Sequence, residues 1–506
     1  MAVAETERFA YDEVPYDTEA NAETHPFSMA TLAALAGLEA ASPSTARVLE
    51  IGCGNGENLL AAATYLPRAT FVGFDLAASA IASGIEAGRA SGLDNVALHA
   101  ADIREVRSTG LAGEAPESFD YVVAHGMYSW VPPQVRADLL GVMRAALAPR
   151  GIGFLSVNAS PGWELRRALR ELALDATRAI DDPARKVTEA LRVIADLGRT
   201  EEDGGGFRAV LSAAAREYIA HVERGASPDA PFPRYVFHDL LAPINEPFSV
   251  RDLSEHLARA GLRLVCETPL RPARAAATFV DLADDLAQTG TPFLQVLVQR
   301  DDAPAARAPD ARSVTNLRLW ADFTPVSPGT WRTTTGALVR PVGSEGLARA
   351  ARHAPAFVAV RDLADDDEAR AALARQLFEG FCEGVLTLAT EAPAFGTDTT
   401  ERPRVAAHVR IHAQRAASRH APSAVLTNAL HRSFRVPWSE LAVVGLLDGA
   451  RTPPEVARDL QSAVGGIPSS LAGSLAGATD EEVGRFVATV LDRFRRHAFL
   501  VRPEAV

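Results

Sequence analysis

Residues 47–57 read Arg-Val-Leu-Glu-Ile-Gly-Cys-Gly-Asn-Gly-Glu, and this stretch decides the fold. The apolar residues at its start predict a buried strand, its glycines predict a tight turn, and the Asn58-Leu-Leu-Ala-Ala-Ala that follows predicts a helix. A strand that ends in glycines and opens into a helix brings bare backbone against a ligand, as in doubly wound sheets that bind nucleotides. We therefore expect a nucleotide-like cofactor beside this turn.

The spacing of the glycines distinguishes between two classes of cofactor. Dinucleotide sites space their glycines as G-x-G-x-x-G, which brings a helix terminus against a pyrophosphate. Here Gly52, Gly54 and Gly56 fall as G-x-G-x-G, and Glu50 precedes them. A carboxylate repels phosphates but attracts a cofactor that carries an ammonium and a sulfonium. The pattern favours S-adenosylmethionine, and a tight turn without a ligand is the structural alternative.

Two more acids follow predicted strands. Residues 70–75 form a strand that ends in Asp75, a little beyond the roughly 20-residue offset at which a carboxylate meets ribose hydroxyls. A third strand ends before Asp102, which is placed to accept a hydrogen bond from an adenine amino group. We expect Asp75 and Leu76 at the ribose and Asp102 and Ile103 at the adenine. An Asp in such a loop can equally cap the next helix.

Two further strands, one at 119–126 and one after a turn within 149–158, continue an alternation with helices that predicts a parallel sheet covered on both faces. The whole string from Val48 to Asn158 resembles the class I S-adenosylmethionine-dependent methyltransferases. That resemblance implies an α/β, Rossmann-like, doubly wound sheet of seven strands. It also implies that His125, after the fourth strand, offers its backbone carbonyl to the ammonium of the cofactor.

Such a sheet closes with a sixth strand and an antiparallel seventh, which here come late. Residues 248–261 have apolar positions at helical spacing and a final glycine, and residues 262–267 and 292–300 are typical of strands. We therefore expect a methyltransferase domain over 1–300 with a helical insertion at 163–247. That insertion would occupy the lid position, where acceptors are selected.

Composition limits the partners. The 506 residues carry a net charge of −13, Lys186 is the only lysine, and no basic stripe with interleaved aromatics is present, so nucleic acid is not expected as a partner. The three cysteines are far apart and lack metal-ligand spacing, so no metal site is predicted. The sequence has neither a signal-peptide core nor a long apolar run, which favours a cytoplasmic protein without a membrane segment. A homodimer is compatible with these features.

A linker rich in Ala, Pro and Asp at 301–310 separates a C-terminal α+β region at 313–506. Within about 425–506, three predicted helices and a short strand at 498–501 resemble a winged helix. A DNA-reading version should carry Arg, Lys or Asn on its second helix, whereas this helix offers Glu455, Arg458 and Asp459. We therefore expect a packing or partner-binding module.

Several stretches narrow the resemblance to bacterial methyltransferases that carry a methyltransferase regulatory domain, including the rickettsial-type protein lysine methyltransferases. The family usually has Thr at Ala159 and an aromatic residue at Ser160, and it treats about 215–300 as a separate regulatory module, which conflicts with closing strands there. The stretches that carry the resemblance are Tyr11–Tyr16, His25-Pro26, His125–Pro132, Asn158–Trp163 and His238–Pro247.

For an amine acceptor, aromatic rings suit the cation and a partly dry pocket lowers the amine pKa. The pocket candidates are Tyr11, Tyr16, Tyr128 and Trp130, and the His125 imidazole is a candidate base. A core role is the alternative for Tyr128 and Trp130. Three functions stay open: a protein lysine N-methyltransferase, a small-molecule methyltransferase of secondary metabolism, and a non-catalytic scaffold. The intact acids and glycines argue against the last.

Overall fold

A seven-stranded sheet forms the centre of the protein. The computed structural model describes residues 19–199, 206–225, 234–271, 289–327, 330–333, 336, 338–339, 345–464 and 472–502. The strands of the sheet are β1 (Arg47–Ile51), β2 (Thr70–Asp75), β3 (Val96–Ala100), β4 (Phe119–Ala124), β5 (Leu147–Asn158), β6 (Leu262–Glu267) and β7 (Phe293–Arg300). Their order is β3-β2-β1-β4-β5-β7-β6, with β7 antiparallel to both neighbours and β1 to β5 parallel. The predicted doubly wound sheet is confirmed.

Helices cover both faces of this sheet. The first face carries α1 (Pro26–Leu35), α2 (Glu57–Tyr65) and α3 (Ala78–Ala90). The second face carries α4 (Ile103–Thr109), α5 (Pro133–Ala146) and α10 (Val250–Arg259). Alternate residues of each strand serve the two faces, since Val48 belongs to the first core and Leu49 to the second. We call these layers the first face and the second face.

The insertion between β5 and α10 is helical and has a hydrophobic core of its own, which includes Leu169, Ile194 and Tyr218. Its two ends meet, because the Ser160 N–H donates to the Phe248 carbonyl at 3.0 Å. From residue 250 onward the chain contributes a helix and two strands to the central sheet, as the closing-strand interpretation requires. The helices of the insertion are α6 (Glu164–Thr177), α7 (Pro183–Arg199), α8 (Phe207–Gly225) and α9 (Arg234–Leu240).

The segment at 301–310 is tied to the sheet domain, because the N–H groups of Arg307 and Asp310 donate to carbonyls at the end of α1. None of residues 301–310 is buried, as expected of a solvated linker, and these two hydrogen bonds additionally fix its path. The C-terminal elements that follow are β8 (Arg318–Ala321), β9 (Thr324–Ser327), β10 (Thr330–Arg332), β11 (Leu338–Val339), α11 (Glu345–Ala351), β12 (Ala356–Ala359), α12 (Asp367–Cys382), β13 (Leu388–Ala389), α13 (Ala407–Ser418), β14 (Ser423–Thr427), β15 (Ser433–Pro437), α14 (Trp438–Val444), α15 (Pro453–Val464) and α16 (Asp480–Arg496).

The three helices expected of a winged helix are present as α14, α15 and α16. The strand expected at 498–501 forms only one bridge, between Leu500 and Val405, and the hairpin β14–β15 precedes the helices. A winged helix is therefore not confirmed. In the described part of the chain, no helix combines the length and the apolar character needed to cross a bilayer.

Candidate functional site

The glycine turn joins β1 to α2 and lies against the end of β2. Gly52, Gly54 and Gly56 all adopt positive φ, at 73°, 56° and 73°, a conformation that other residues rarely adopt. The Gly52 N–H donates to the Phe74 carbonyl at 2.9 Å, which fixes the start of the turn on the neighbouring strand. A side chain at Gly84 of α3 would meet the Asn55 carbonyl oxygen at 2.0 Å, so that helix also packs directly on the turn.

Asp75 links the turn to the end of β2. One carboxylate oxygen accepts from the Gly54 N–H at 2.9 Å, and the other accepts from the Ala77 N–H at 2.8 Å. These bonds hold the carboxylate at the carboxyl edge of the sheet, beside half-buried Leu76.

Glu50 is the most unusual group of the site, because its side chain is only 5% exposed. Its Oε1 accepts from the Asn58 amide at 3.1 Å, whereas its Oε2 has no hydrogen-bond partner among the described residues. Burial, and then the nearby Asp75 charge, raise the pKa of Glu50 to about 8, against the lowering effect of Asn58. A buried carboxyl oxygen without a donor fits a cofactor that brings an ammonium.

Asp102 caps the helix that follows it, which is the structural alternative to contact with adenine. Its carboxylate caps α4 by accepting from the Arg104 N–H at 2.9 Å, and the Arg104 guanidinium pairs with the same carboxylate. Ile103 is buried in the core of the second face. The adenine role of these two residues stays a prediction.

His125 follows β4 and is held on both sides of its ring. Nδ1 lies 3.1 Å from the Ser156 hydroxyl, and Nε2 lies 3.1 Å from the Asn21 amide. The edges of Phe154 and Phe293 face the imidazole. Burial lowers the pKa of His125 to about 4, so the ring is neutral near pH 7 and is a weak base. This placement favours a positioning role over the proposed role as a base.

The structure does not place Tyr128 where a pocket role requires it. Its ring is 1% exposed in the core of the second face, opposite to Glu50 and His125, which belong with the first face. Its hydroxyl lies 2.8 Å from Nδ1 of His256 and faces a cavity of about 610 Å³. Its wall includes four arginines, Arg107, Arg136, Arg144 and Arg259, and the last three pair with carboxylates.

The other aromatic candidates have different outcomes. Trp130 ends a short 3-10 helix and is half-buried, which neither assigns nor removes a role in binding. Tyr11 and Tyr16 lie outside the described residues, so their role stays a prediction.

Four residues of this site were not predicted. Asn58 is the second residue of α2 and bridges Glu50 to Thr24. Asn21 bridges His125 to the Gln295 side chain. His431 reaches Asn58 from the C-terminal region at 2.7 Å. Lone amides and a histidine 373 residues away carry no spacing signal, so only tertiary structure identifies them. The unpredicted residues are Asn21, Asn58, Gln295 and His431.

Comparisons with known proteins agree with this geometry. Residues 48–151 match a family model described as a methyltransferase domain. Two uncharacterized proteins of Rickettsia prowazekii are similar: RP028 is 36% identical over 34% of this chain, and RP789 is 37% identical over 32% of it. The aligned part spans 66% of RP028 and 29% of RP789.

A solved structure covers nearly the whole chain. PKMT2 from Rickettsia typhi in complex with AdoHcy has a TM-score of 0.79 at 21% identity, over 96% of this chain and 100% of PKMT2. The same protein in a second structure gives a TM-score of 0.81. At this identity the likeness shows the fold alone, and it includes the C-terminal region as well as the sheet.

Proposed function

We propose that the protein methylates the side-chain amine of protein lysines. The premise is a class I S-adenosylmethionine-dependent methyltransferase domain at residues 48–151. The observation that carries the cofactor assignment is the buried Oε2 of Glu50, which lacks a donor among the described residues. An ammonium placed there would satisfy this oxygen and favour its ionised form. Asp75 would hold the ribose, and the bare backbone of the glycine turn would admit the cofactor closely.

When bound, S-adenosylmethionine supplies a methyl group that its sulfonium already activates. The protein therefore needs no nucleophile of its own, and its task is to align the acceptor amine with that methyl group. Alignment of this kind can supply on the order of 7 to 11 kcal/mol of the barrier. His125, fixed between Ser156 and Asn21, is suited to orient groups at the carboxyl ends of β4 and β5.

An amine acceptor must lose its proton before it reacts. The surroundings of His125 already disfavour a cation, as its pKa of about 4 indicates. The same burial would lower the pKa of a lysine amine that enters beside Phe154 and Phe293. The sequence resemblance to the rickettsial-type protein lysine methyltransferases, together with the fold shared with PKMT2 over 96% of this chain, supports a protein lysine as the acceptor.

Labelled S-adenosylmethionine incubated with the protein and a cell lysate tests this function. We expect label in the protein fraction that survives acid hydrolysis as methylated lysine. Label confined to the small-molecule fraction would instead support a methyltransferase of secondary metabolism. Binding of S-adenosylhomocysteine without any transfer would support a non-catalytic scaffold. Asp75→Ala is the control variant, because incorporation should fall sharply if the label depends on this site.

A further inference from the structure

The C-terminal region reaches the cofactor site through one buried side chain. His431 follows β14 in the hairpin turn, is 2% exposed and has a positive φ of 58°. Its ring packs on His25 with centroids 4.8 Å apart, and its Nε2 lies 2.7 Å from Oδ1 of Asn58. Asn58 in turn contacts Glu50. These contacts connect the last part of the chain to the first strand.

The donors around Asn58 determine which way its amide points. The backbone N–H of Asn21 donates to the Asn58 atom that also faces His431, at 3.0 Å, and a backbone N–H can only donate. That atom is therefore the amide oxygen, and His431 must donate its Nε2 proton to it. Burial lowers the pKa of His431 to about 3, so the neutral ring has this single proton to give. The Asn58 NH₂ is consequently directed to Oε1 of Glu50, at 3.1 Å.

We propose that His431 is a positioning residue for the cofactor: together with the Asn21 N–H it fixes the Asn58 amide, which holds one oxygen of Glu50 so that the other faces the ammonium of the methionine moiety. The C-terminal region thus completes the methyl-donor site. This inference rests on the proposed use of S-adenosylmethionine and adds to it a requirement for a residue outside the methyltransferase domain.

We call the chain of contacts from His431 through Asn58 to Glu50 the relay. Other contacts hold the C-terminal region in the position that the relay needs. His408 of α13 lies between α2 and α3, with Nε2 at 2.9 Å from Oε1 of Glu57 and Nδ1 at 3.1 Å from the Ser91 hydroxyl. Glu57 directly precedes Asn58 in the chain. The contact of His408 with Glu57 and the contact of His431 with Asn58 therefore lie on the same turn of α2.

Calorimetric titration with two ligands tests the relay. S-adenosylhomocysteine carries the amino acid moiety, whereas 5′-methylthioadenosine has the same nucleoside and lacks it. We expect His431→Asn, which tolerates positive φ but is too short to reach Asn58, to weaken S-adenosylhomocysteine binding about tenfold. Binding of 5′-methylthioadenosine should change less than twofold. A merely structural role would weaken both ligands alike.

Three control variants sharpen the result. His431→Gln places an amide N–H near the position of Nε2 and should restore much of the affinity. His420→Asn replaces an exposed histidine with a similar φ of 55° and should leave both affinities unchanged. In a Glu50→Gln background, His431→Asn should add no further loss, because both changes act through one carboxylate.

The outcomes separate this inference from the proposed function. Equal losses for the two ligands, or full additivity of His431→Asn with Glu50→Gln, would overturn the relay while the cofactor assignment stands. If the unmodified chain binds neither ligand, the proposed function itself fails. Selective loss of S-adenosylhomocysteine affinity, with rescue by His431→Gln, would support the relay.

Discussion

The two faces of the central sheet are covered by different means. On the second face, α4, α5 and α10 pack on the strands and form a core from the methyltransferase domain alone. On the first face, side chains of α1 and the strands share one continuous core with the C-terminal region, including Leu319, Leu347 and Leu377. The second face is therefore self-contained, whereas the first face depends on residues far along the chain.

The candidate site lies on the first face, whose core depends on the C-terminal region. The strand residues Val48 and Val123 serve the first core, and Glu50 and His125, two positions further on, continue on that side. Tyr128, by contrast, packs in the second core. The candidate site therefore lies on the face whose core includes residues of the C-terminal region.

Removal of residues 311–506 should cause the largest loss of stability, because it takes away the part of the first core that the C-terminal region supplies. It would expose many buried leucines of the first core, and each exposed side chain costs about 1.5 to 3 kcal/mol, so the loss exceeds the roughly 5 to 15 kcal/mol of a typical domain. We expect a chain of residues 1–310 to lack a cooperative thermal transition and to bind the dye ANS. A cooperative transition in circular dichroism would show that the first face is also self-contained.

Excision of residues 163–242 is the matched contrast, because this insertion has its own core and its ends already meet at Ser160 and Phe248. With a short Gly/Ser linker, we expect cooperative unfolding and S-adenosylhomocysteine affinity within about threefold of the full chain, since few core contacts are lost. Transfer to the acceptor should be abolished if this segment is the lid. Retained transfer on the same acceptor would contradict the lid hypothesis.

Asp75→Ala tests the site on the first face directly. Hydrogen bonds to a charged group contribute about 1.5 to 3 kcal/mol, so we expect S-adenosylhomocysteine binding to weaken by roughly one to two orders of magnitude. Calorimetry measures the change, and thermal melting checks that the variant is folded. Unchanged affinity in a folded variant would show that the ribose lies elsewhere.

The pH dependence of binding tests Glu50. With a pKa of about 8, the Glu50 carboxyl is protonated near pH 7 in the free protein. Because the folded protein keeps this proton and the unfolded chain does not, the free energy of unfolding falls as pH rises toward 8. A bound ammonium would lower this pKa, so binding should release a proton and tighten by about three- to tenfold between pH 6.5 and 8. Calorimetry in buffers of different ionisation enthalpy measures the proton. The Glu50→Gln variant should release none through this group.

Tyr128→Phe should have the smallest effect. The change removes the hydrogen bond to His256 on the second face, so we expect a loss of about 0.5 to 1.5 kcal/mol in the free energy of unfolding. Cofactor affinity and single-turnover rate should be unchanged. A lower single-turnover rate in a variant of normal stability would support the predicted role of Tyr128 in the acceptor pocket.

The sequence predicts the sheet well because its signals are local. Strands that alternate with helices, the glycine spacing and the acid after β2 all lie within short windows, and the late strands β6 and β7 follow from apolar runs. It predicts Tyr128 poorly, because a residue near the end of β4 can turn to either face and no local pattern decides between them. The bridges through Asn21, Asn58 and His431 depend on tertiary packing, which local propensity does not encode.

The hydrogen bond between His431 and Asn58 spans 373 residues, and this separation has a consequence during protein synthesis. The sheet is complete at β7, yet the ribosome must add about 130 more residues before His431 is made, which takes roughly 7 to 26 seconds at 5 to 20 residues per second. Through that interval the nascent domain lacks the His431 contact to Asn58. A newly made chain would therefore gain the proposed tight cofactor binding only after residue 431 has been synthesised.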